Sequence, residues 1–218
     1  MSEKTLEEYV ESIGALEQLE SPVSTSSVAR LLDLTLASVS EMLRKLADKG
    51  LVEYEPYQGA TLTEEGRRHF LKLTRRHRLW EVFLNRHLGM GWEEVNGEAC
   101  KLEHATSDAV ADRLAEFLGN PETCPHGNPI PKLDQDYFEV SGISLDDLEI
   151  GQFAKVAQII NERDPEFLRY LSSLGLIPGT EVRLLEKAPF AGPLSIEANG
   201  FTKVLGPEAA RFIVVKPV

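Results

Sequence analysis

Residues 35–66 read TLASVSEMLRKLADKGLVEYEPYQGATLTEEG, and this stretch decides the fold of the N-terminal part. Val39, Met42, Leu43 and Leu46 recur at three- and four-residue steps, which lines one face of a helix with apolar side chains. Gly50 stops that helix, because glycine accepts the left-handed conformation that closes a last turn. LVEYEPYQGATL then reads as two short strands around Pro56–Gly59, ending where Thr63 caps another helix.

Working backward, TLEEYVESIGALEQL (residues 5–19) places Leu6, Tyr9, Ile13, Leu16 and Leu19 at helical spacing. Ser24 or Thr25 can cap a second helix that runs through Leu32. Helix, helix, turn, helix and hairpin is the order of a winged helix-turn-helix.

Working forward, a long helix basic on its outside is expected from Thr63 to about Leu88, with Phe70, Leu73, Leu79, Phe83 and Leu84 inside. Two further helices are expected near 91–104 and 106–118. Residues 119–143 hold much Pro and Gly and read as a linker. Beyond Leu145, the runs KVAQII, EVRLLEK, LSIEANG and RFIVVK suggest a small β-barrel, with PEFLRYLSSLG as an inserted helix.

The expected class is mainly α with small β: a winged helix-turn-helix over 1–72, a helical domain with linker over 73–143, and a β-domain over 144–218.

Composition narrows the function. An apolar share of 42% and a charged share of 27% suit a soluble globular protein. No apolar run approaches the ~20 residues of a membrane span, and the acidic N-terminus is unlike a secretory signal. Two distant cysteines suggest no disulfide framework, so a reducing cytoplasm is the default. The formal charge of -12 is uneven. Residues 26–86 carry 11 Lys or Arg against 8 Asp or Glu, leaving 12 basic and 27 acidic residues elsewhere. A mildly basic module on an acidic body allows DNA binding without establishing it.

The chemistry lies in three helices. Cys100, Glu103 and His104 stand at i, i+3 and i+4, so thiolate, carboxylate and imidazole can converge on one divalent ion. Each alone has an ordinary reading: a buried apolar cysteine, a solvated glutamate, a core histidine. Glu8 and Glu11 form an i, i+3 carboxylate pair that is otherwise surface decoration. His77 and Glu81 form an i, i+4 pair that also fits a surface salt bridge. Carboxylate and imidazole suit Mn(II) or Fe(II), and a thiolate pulls toward Fe(II), Co(II) or Zn(II).

EEYVESI, TLASVSEMLRKLADKGLVEY, LTEEGRR, RRHRLWEVFL, EACKLEHATSD and HGNPIP together resemble the diphtheria toxin repressor family of metal-dependent transcriptional repressors. The likeness spans essentially the whole chain. It implies a winged DNA-binding domain, a helical metal-binding and dimerisation domain, and a C-terminal SH3-like β-barrel. It also implies a homodimer on palindromic operator DNA, with Mn(II) or Fe(II) as corepressor and metal-uptake genes as targets.

Residue by residue, the resemblance implies a principal metal site of Glu8, Cys100, Glu103 and His104. The manganese-sensing branch adds carboxylates matching Glu8 and Glu11 and a histidine matching His77, whereas Cys100 matches the iron-sensing branch. A second site would use His77, Glu81 and Glu166, with Glu162 substituting for the family's glutamate partner, which falls on Arg163; the family's histidine falls on Asn96 here. One ion between the first helix and the middle helices would then orient the wing-bearing domain.

The helix near 36–48 would enter the major groove. Thr35, Ala37, Ser38 and Ser40 lie near its start, and Glu41 stands where the family has glutamine. Arg44, Lys45, Lys49, Arg67, Arg68, Arg75 and Arg76 are candidate phosphate contacts, or else a solvated basic face.

A metalloenzyme reading lacks an HExxH, a nucleophile elbow or a Walker loop. Neither an enzyme nor a small-molecule substrate is expected, nor a membrane partner. The alternative is a cytoplasmic metal-buffering protein that binds no DNA. Cys124 and His126 fit either another zinc site or, as HGNPIP suggests, a packed turn.

Overall fold

The computed structural model describes residues 3–18, 20–132 and 142–218. They form two compact units. One gathers the chain up to Arg76 with Glu103–Asp108; the other gathers His77–Leu102, Ala109–Ile130 and the C-terminal sheet.

In the first unit, α1 (Glu3–Glu17), α2 (Thr25–Leu32) and α3 (Leu36–Asp48) precede the hairpin β1 (Val52–Glu55) and β2 (Gly59–Leu62). Ser24 caps α2 by accepting from the Ser27 amide at 3.0 Å, and Thr35 caps α3 by accepting from Ser38 at 3.2 Å. Val28, Val39, Leu43 and Leu46 are buried, so the periodic face read in the sequence is the packed one. The wing pairs antiparallel from Val52↔Leu62 to Glu55↔Gly59. Val23 and Ala60 exchange backbone hydrogen bonds at 2.8 and 2.9 Å, anchoring the α1–α2 connection to β2.

Helix α4 (Glu64–Leu88) begins in this unit. Its Phe70 ring lies where a Cβ on Gly14 would stand 2.5 Å away, so α1 approaches α4 through a residue without a side chain. Glu17, at the end of α1, accepts the Leu62 amide at 2.7 Å and lies 3.5 Å from Arg67. Helix α1 is thereby tied to the wing as well as to α4.

The second unit holds the rest of α4, α5 (Val95–Glu103) from its start to Leu102, and α6 (Asp108–Phe117) after its first residue. Leu79 and Val82 pack with Ala111, Leu114, Ala115, Cys124 and Ile130. The linker reading of 119–143 is therefore corrected over its described part. Residues 122–130 form a packed turn, with the Cys124 amide donating to Asn128 O and Ile130 to Glu122 O. His126 and Asn128 are buried within it. Residues 133–141 lie outside the described part.

The C-terminal strands are β3 (Ile143–Ser144), β4 (Phe153–Ile159), β5 (Glu181–Lys187), β6 (Leu194–Ala198), β7 (Phe201–Leu205) and β8 (Ile213–Pro217). Their order β3-β8-β4-β5-β6-β7 makes one open antiparallel sheet, which overturns the expected SH3-like β-barrel. Closure would need β3 to pair with β7, and β3 is only two residues long. Helices seal the inner face instead. Leu168 and Leu171 of α7 (Pro165–Leu174), Ala210 of α8 (Pro207–Arg211), and Leu145 and Leu148 around a short 3-10 turn fill the core against Val156, Leu184 and Ile196. The strand β7 and helix α8 escaped the sequence reading because each buries a single residue, Leu205 and Ala210, and so carries no periodic apolar pattern. Among the described residues, no helix is long and apolar enough to cross a membrane.

Candidate metal centre

Helix α5 places Cys100, Glu103 and the following His104 on consecutive turns, with one ligand atom from each within 4.8 Å of the others. The Glu103 side chain is fully buried, and His104 nearly so. A carboxylate in that setting is costly without a counter-charge. His104 Nδ1 donates to Glu7 Oε2 at 2.7 Å, which puts the neutral ring's proton on Nδ1. The lone pair of Nε2 is then left facing Glu103 Oε1 at 3.3 Å, buried and outside any hydrogen bond. Glu11 brings a carboxylate oxygen within 4.8 Å of one on Glu103.

Helix α1 thus contributes through Glu7 and Glu11. Glu8, one residue round from Glu7, lies 3.7 Å from Lys4 and is partly exposed. Successive residues on a helix point about 100° apart, so which of two adjacent glutamates reaches His104 depends on how α1 packs.

A second cluster lies wholly within the second unit: Glu81, Cys124, His126 and Glu162, again with ligand atoms within 4.8 Å of one another. Glu81 and His126 are completely buried. His126 Nδ1 stands 3.3 Å from Glu81, 3.6 Å from Glu162 and 3.7 Å from Cys124 Sγ. His77 Nε2 lies 3.3 Å from Glu81 and 3.3 Å from Asn96 Nδ2, so the asparagine occupies the place expected of a histidine ligand. Glu162 also meets Asn128 and lies 3.4 Å from Arg78. Glu166 is elsewhere. It is exposed in the first turn of α7, where an acidic side chain suits the helix dipole.

The electrostatics of this cluster are set by burial and by the mutual influence of its carboxylates and imidazoles. Burial pushes the Glu81 carboxyl up, but the neighbouring His77 and His126 imidazoles outweigh it and hold the group well below the usual carboxylate range. Burial would depress His126; contact with the Glu81 carboxylate and the charge of Glu162 raise it instead. Burial, then the charges of Glu81 and Glu162, push the Cys124 thiol well above its ordinary value. Both Glu81 oxygens are buried and outside any hydrogen bond, although each could accept one. Carboxylate, imidazole and thiolate donors together fit a divalent transition ion. The sequence offered Cys124 and His126 only as a possibility, and Glu162 lies 36 positions after His126; nothing local joins them.

On and around α3, Thr35, Ala37, Ser38, Glu41, Arg44, Lys45 and Lys49 are exposed and Ser40 half-buried. Leu36 is also exposed, at 57%, which its place in an apolar periodic run concealed. Glu41 pairs with Lys45 at 2.6 Å, and that hydrogen bond and charge hold its carboxyl below the usual range. Arg67 and Arg68 are exposed, Arg68 lying 2.8 Å from Glu65. Arg75 is half-buried, and Arg76 is mostly buried and bonded to Asp108 at 2.7 Å.

Three families match consecutive segments. Residues 1–60 match the N-terminal DNA-binding domain of iron-dependent repressors. Residues 63–132 match their metal-binding and dimerisation domain, and 143–217 match the FeoA domain. The diphtheria toxin repressor of Corynebacterium efficiens is 33% identical over 98% of this chain and 96% of its own length. The iron-dependent repressor IdeR of Mycobacterium tuberculosis is 31% identical over 98% and 97%. The solved structure of a manganese-dependent transcriptional repressor in complex with manganese is 37% identical, covers 98% of this chain and 100% of that one, and superposes with a TM-score of 0.90.

Proposed function

The chain belongs to the diphtheria toxin repressor family of iron-dependent repressors, and from that premise we propose how its residues use a metal to control DNA binding. It is a metal-dependent transcriptional repressor and not an enzyme. Its corepressor is Mn(II), with Fe(II) as the alternative, and its operators are palindromes that control metal uptake in the cytoplasm. The donor set supports that order: carboxylates of Glu11 and Glu103 are hard ligands, while Cys100 and Cys124 keep softer ions in play. The same donors could also take Co(II) or Zn(II) in vitro.

The observation that carries this reading is the hydrogen bond between His104 and Glu7, which leaves Nε2 buried beside Glu103. Glu103, His104 and Glu11 would hold the principal ion, with Cys100 on the adjacent turn. A bound ion would supply the positive charge that lets these acidic groups share one site. Glu7 orients the imidazole, as a carboxylate behind a metal-bound histidine commonly does. Because α1 carries Glu7 and Glu11 at one end and Glu17 against the wing at the other, a tie at its start is felt in the hairpin. Glu81, Cys124, His126 and Glu162 would hold a second ion.

The division into 1–72, 73–143 and 144–218 assigns DNA binding, metal binding with dimerisation, and the open sheet. Homodimerisation is supported by exposed Val110 and Phe117, seven positions apart and so on one face of α6, with Phe117 5.0 Å from the His87 ring. Two copies would present two α3 helices to the half-sites of a palindrome.

The test is DNA binding to the upstream region of its own gene under anaerobic titration with Mn(II), Fe(II), Co(II) and Zn(II). Metal-dependent retardation of the DNA that disappears when Arg44 and Lys49 are both replaced by alanine supports the reading. Metal uptake by a folded protein that retards no DNA would favour the buffering alternative.

A further inference from the structure

We propose that Trp92 is the positioning residue of the second metal site and that it links occupancy of that site to helix α7. The inference rests on reading Glu81, Cys124, His126 and Glu162 as metal ligands. It adds a residue that donates no ligand atom.

Trp92 meets the cluster through its backbone and the C-terminal domain through its ring. His126 Nε2 lies 2.7 Å from the Trp92 carbonyl oxygen. A carbonyl can only accept, so Nε2 carries the ring proton, and in the neutral imidazole Nδ1 keeps its lone pair. Nδ1 is the atom that faces Glu81, Glu162 and Cys124. The Trp92 carbonyl therefore selects the tautomer that a metal needs and fixes the ring's rotation, the task usually given to an outer hydrogen-bond partner of a ligating histidine. The two rings lie 5.5 Å apart at an angle of 34°, which restrains His126 further.

What holds that carbonyl in place is the indole. Trp92 Nε1 donates to Ser172 Oγ at 2.6 Å, and the ring packs against the apolar core of the sheet domain. Ser172 stands on α7, and Glu162 lies just before the Asp164 cap of that same helix. One helix thus carries the indole's anchor and follows directly on a ligand. An ion held by both His126 and Glu162 would close a loop that runs His126, Trp92, Ser172, α7, Glu162. Loosening Ser172 would release the carbonyl and let the imidazole turn.

The test uses the full-length chain with Cys100→Ser, so that Cys124 is the one remaining thiol. Co(II) titration is followed by the sulfur-to-cobalt absorption band. Trp92→Phe keeps an aromatic ring and loses the donor; it should weaken Co(II) at this site about tenfold and reduce the band. Ser172→Ala, at an exposed position, should do the same, Ser172→Thr should restore binding, and the double variant should be no weaker than either single one. Unchanged affinity and band in both Trp92→Phe and Ser172→Ala would overturn the proposal while leaving the metal site standing. A loss in Trp92→Phe alone would overturn the link to α7. Absence of the band in the Cys100→Ser parent would instead sink the reading of the cluster as a metal site, and this proposal with it.

Discussion

His104 and Glu7 are 97 positions apart and joined by a hydrogen bond of 2.7 Å, which connects the end of α5 to the first helix. It decides which imidazole nitrogen is left for an ion and which glutamate of α1 stands behind it. Glu7→Ala should weaken metal-activated DNA binding by roughly 10- to 100-fold in the metal concentration required. Glu7→Gln should recover part of it, since an amide oxygen still accepts the Nδ1 proton. Mn(II) titrations monitored by fluorescence anisotropy of labelled DNA, with Glu8→Ala alongside, would measure this; a larger loss in Glu8→Ala would return the role to Glu8.

Metal binding at the second cluster should strengthen with rising pH. The Cys124 thiol is pushed up by burial and by the charges of Glu81 and Glu162, so it is protonated at neutral pH and must lose that proton to ligate. One released proton corresponds to about a tenfold gain in affinity per pH unit. Co(II) titrations at two pH values in wild type and Cys124→Ser check this, the dependence being shallower in the variant.

Asp108 stands between Arg76 at 2.7 Å and Lys72 at 3.1 Å, and the Arg76 hydrogen bond, then that of Lys72, hold its carboxyl below the ordinary value of 3.8. A depressed carboxylate stabilises the fold above its unfolded value and loses that contribution as pH falls through the folded one. Asp108→Asn should therefore cost stability at pH 7, and the difference from wild type should fade below about pH 4. Because Asp108 is half-exposed, the cost should stay below about 1 kcal/mol in urea unfolding.

Gly14 faces the Phe70 ring so closely that a methyl group has no room. Gly14→Leu should cost about 1–3 kcal/mol by overpacking. Thermal unfolding would record the loss, and Phe70→Ala in the same chain should relieve part of it. Since α1 carries Glu7 and Glu11, the metal requirement should rise as well.

Phe117 is 64% exposed, lies tilted against the rings of Phe83 and His87, and shares a face of α6 with exposed Val110. Phe117→Asp should yield a folded monomer at micromolar concentration by sedimentation velocity, with binding to palindromic DNA reduced and binding to a half-site retained. A stable dimer in that variant would place the interface elsewhere.

The helices were legible from the chain because their information is local. Val39, Leu43 and Leu46 return every turn, Thr35 and Ser24 cap, and Cys100, Glu103 and His104 share a face within five residues. Which groups meet across elements was not legible in that way. Glu7 rather than Glu8 reaching His104 is set by the rotation of α1, and a helix pattern with both glutamates on its polar side leaves that rotation open. Cys124, His126, Glu81 and Glu162 converge only because a Pro- and Gly-rich segment packs as a turn against α4 and β4 instead of running free. The sheet's openness was decided the same way. Alternating strands announce a buried face, but whether that face is closed by a strand or by helices depends on edge length and on what α7 and α8 bury. Local periodicity needs only the chain's own geometry, whereas contacts between distant elements exist only after their apolar faces have been brought together.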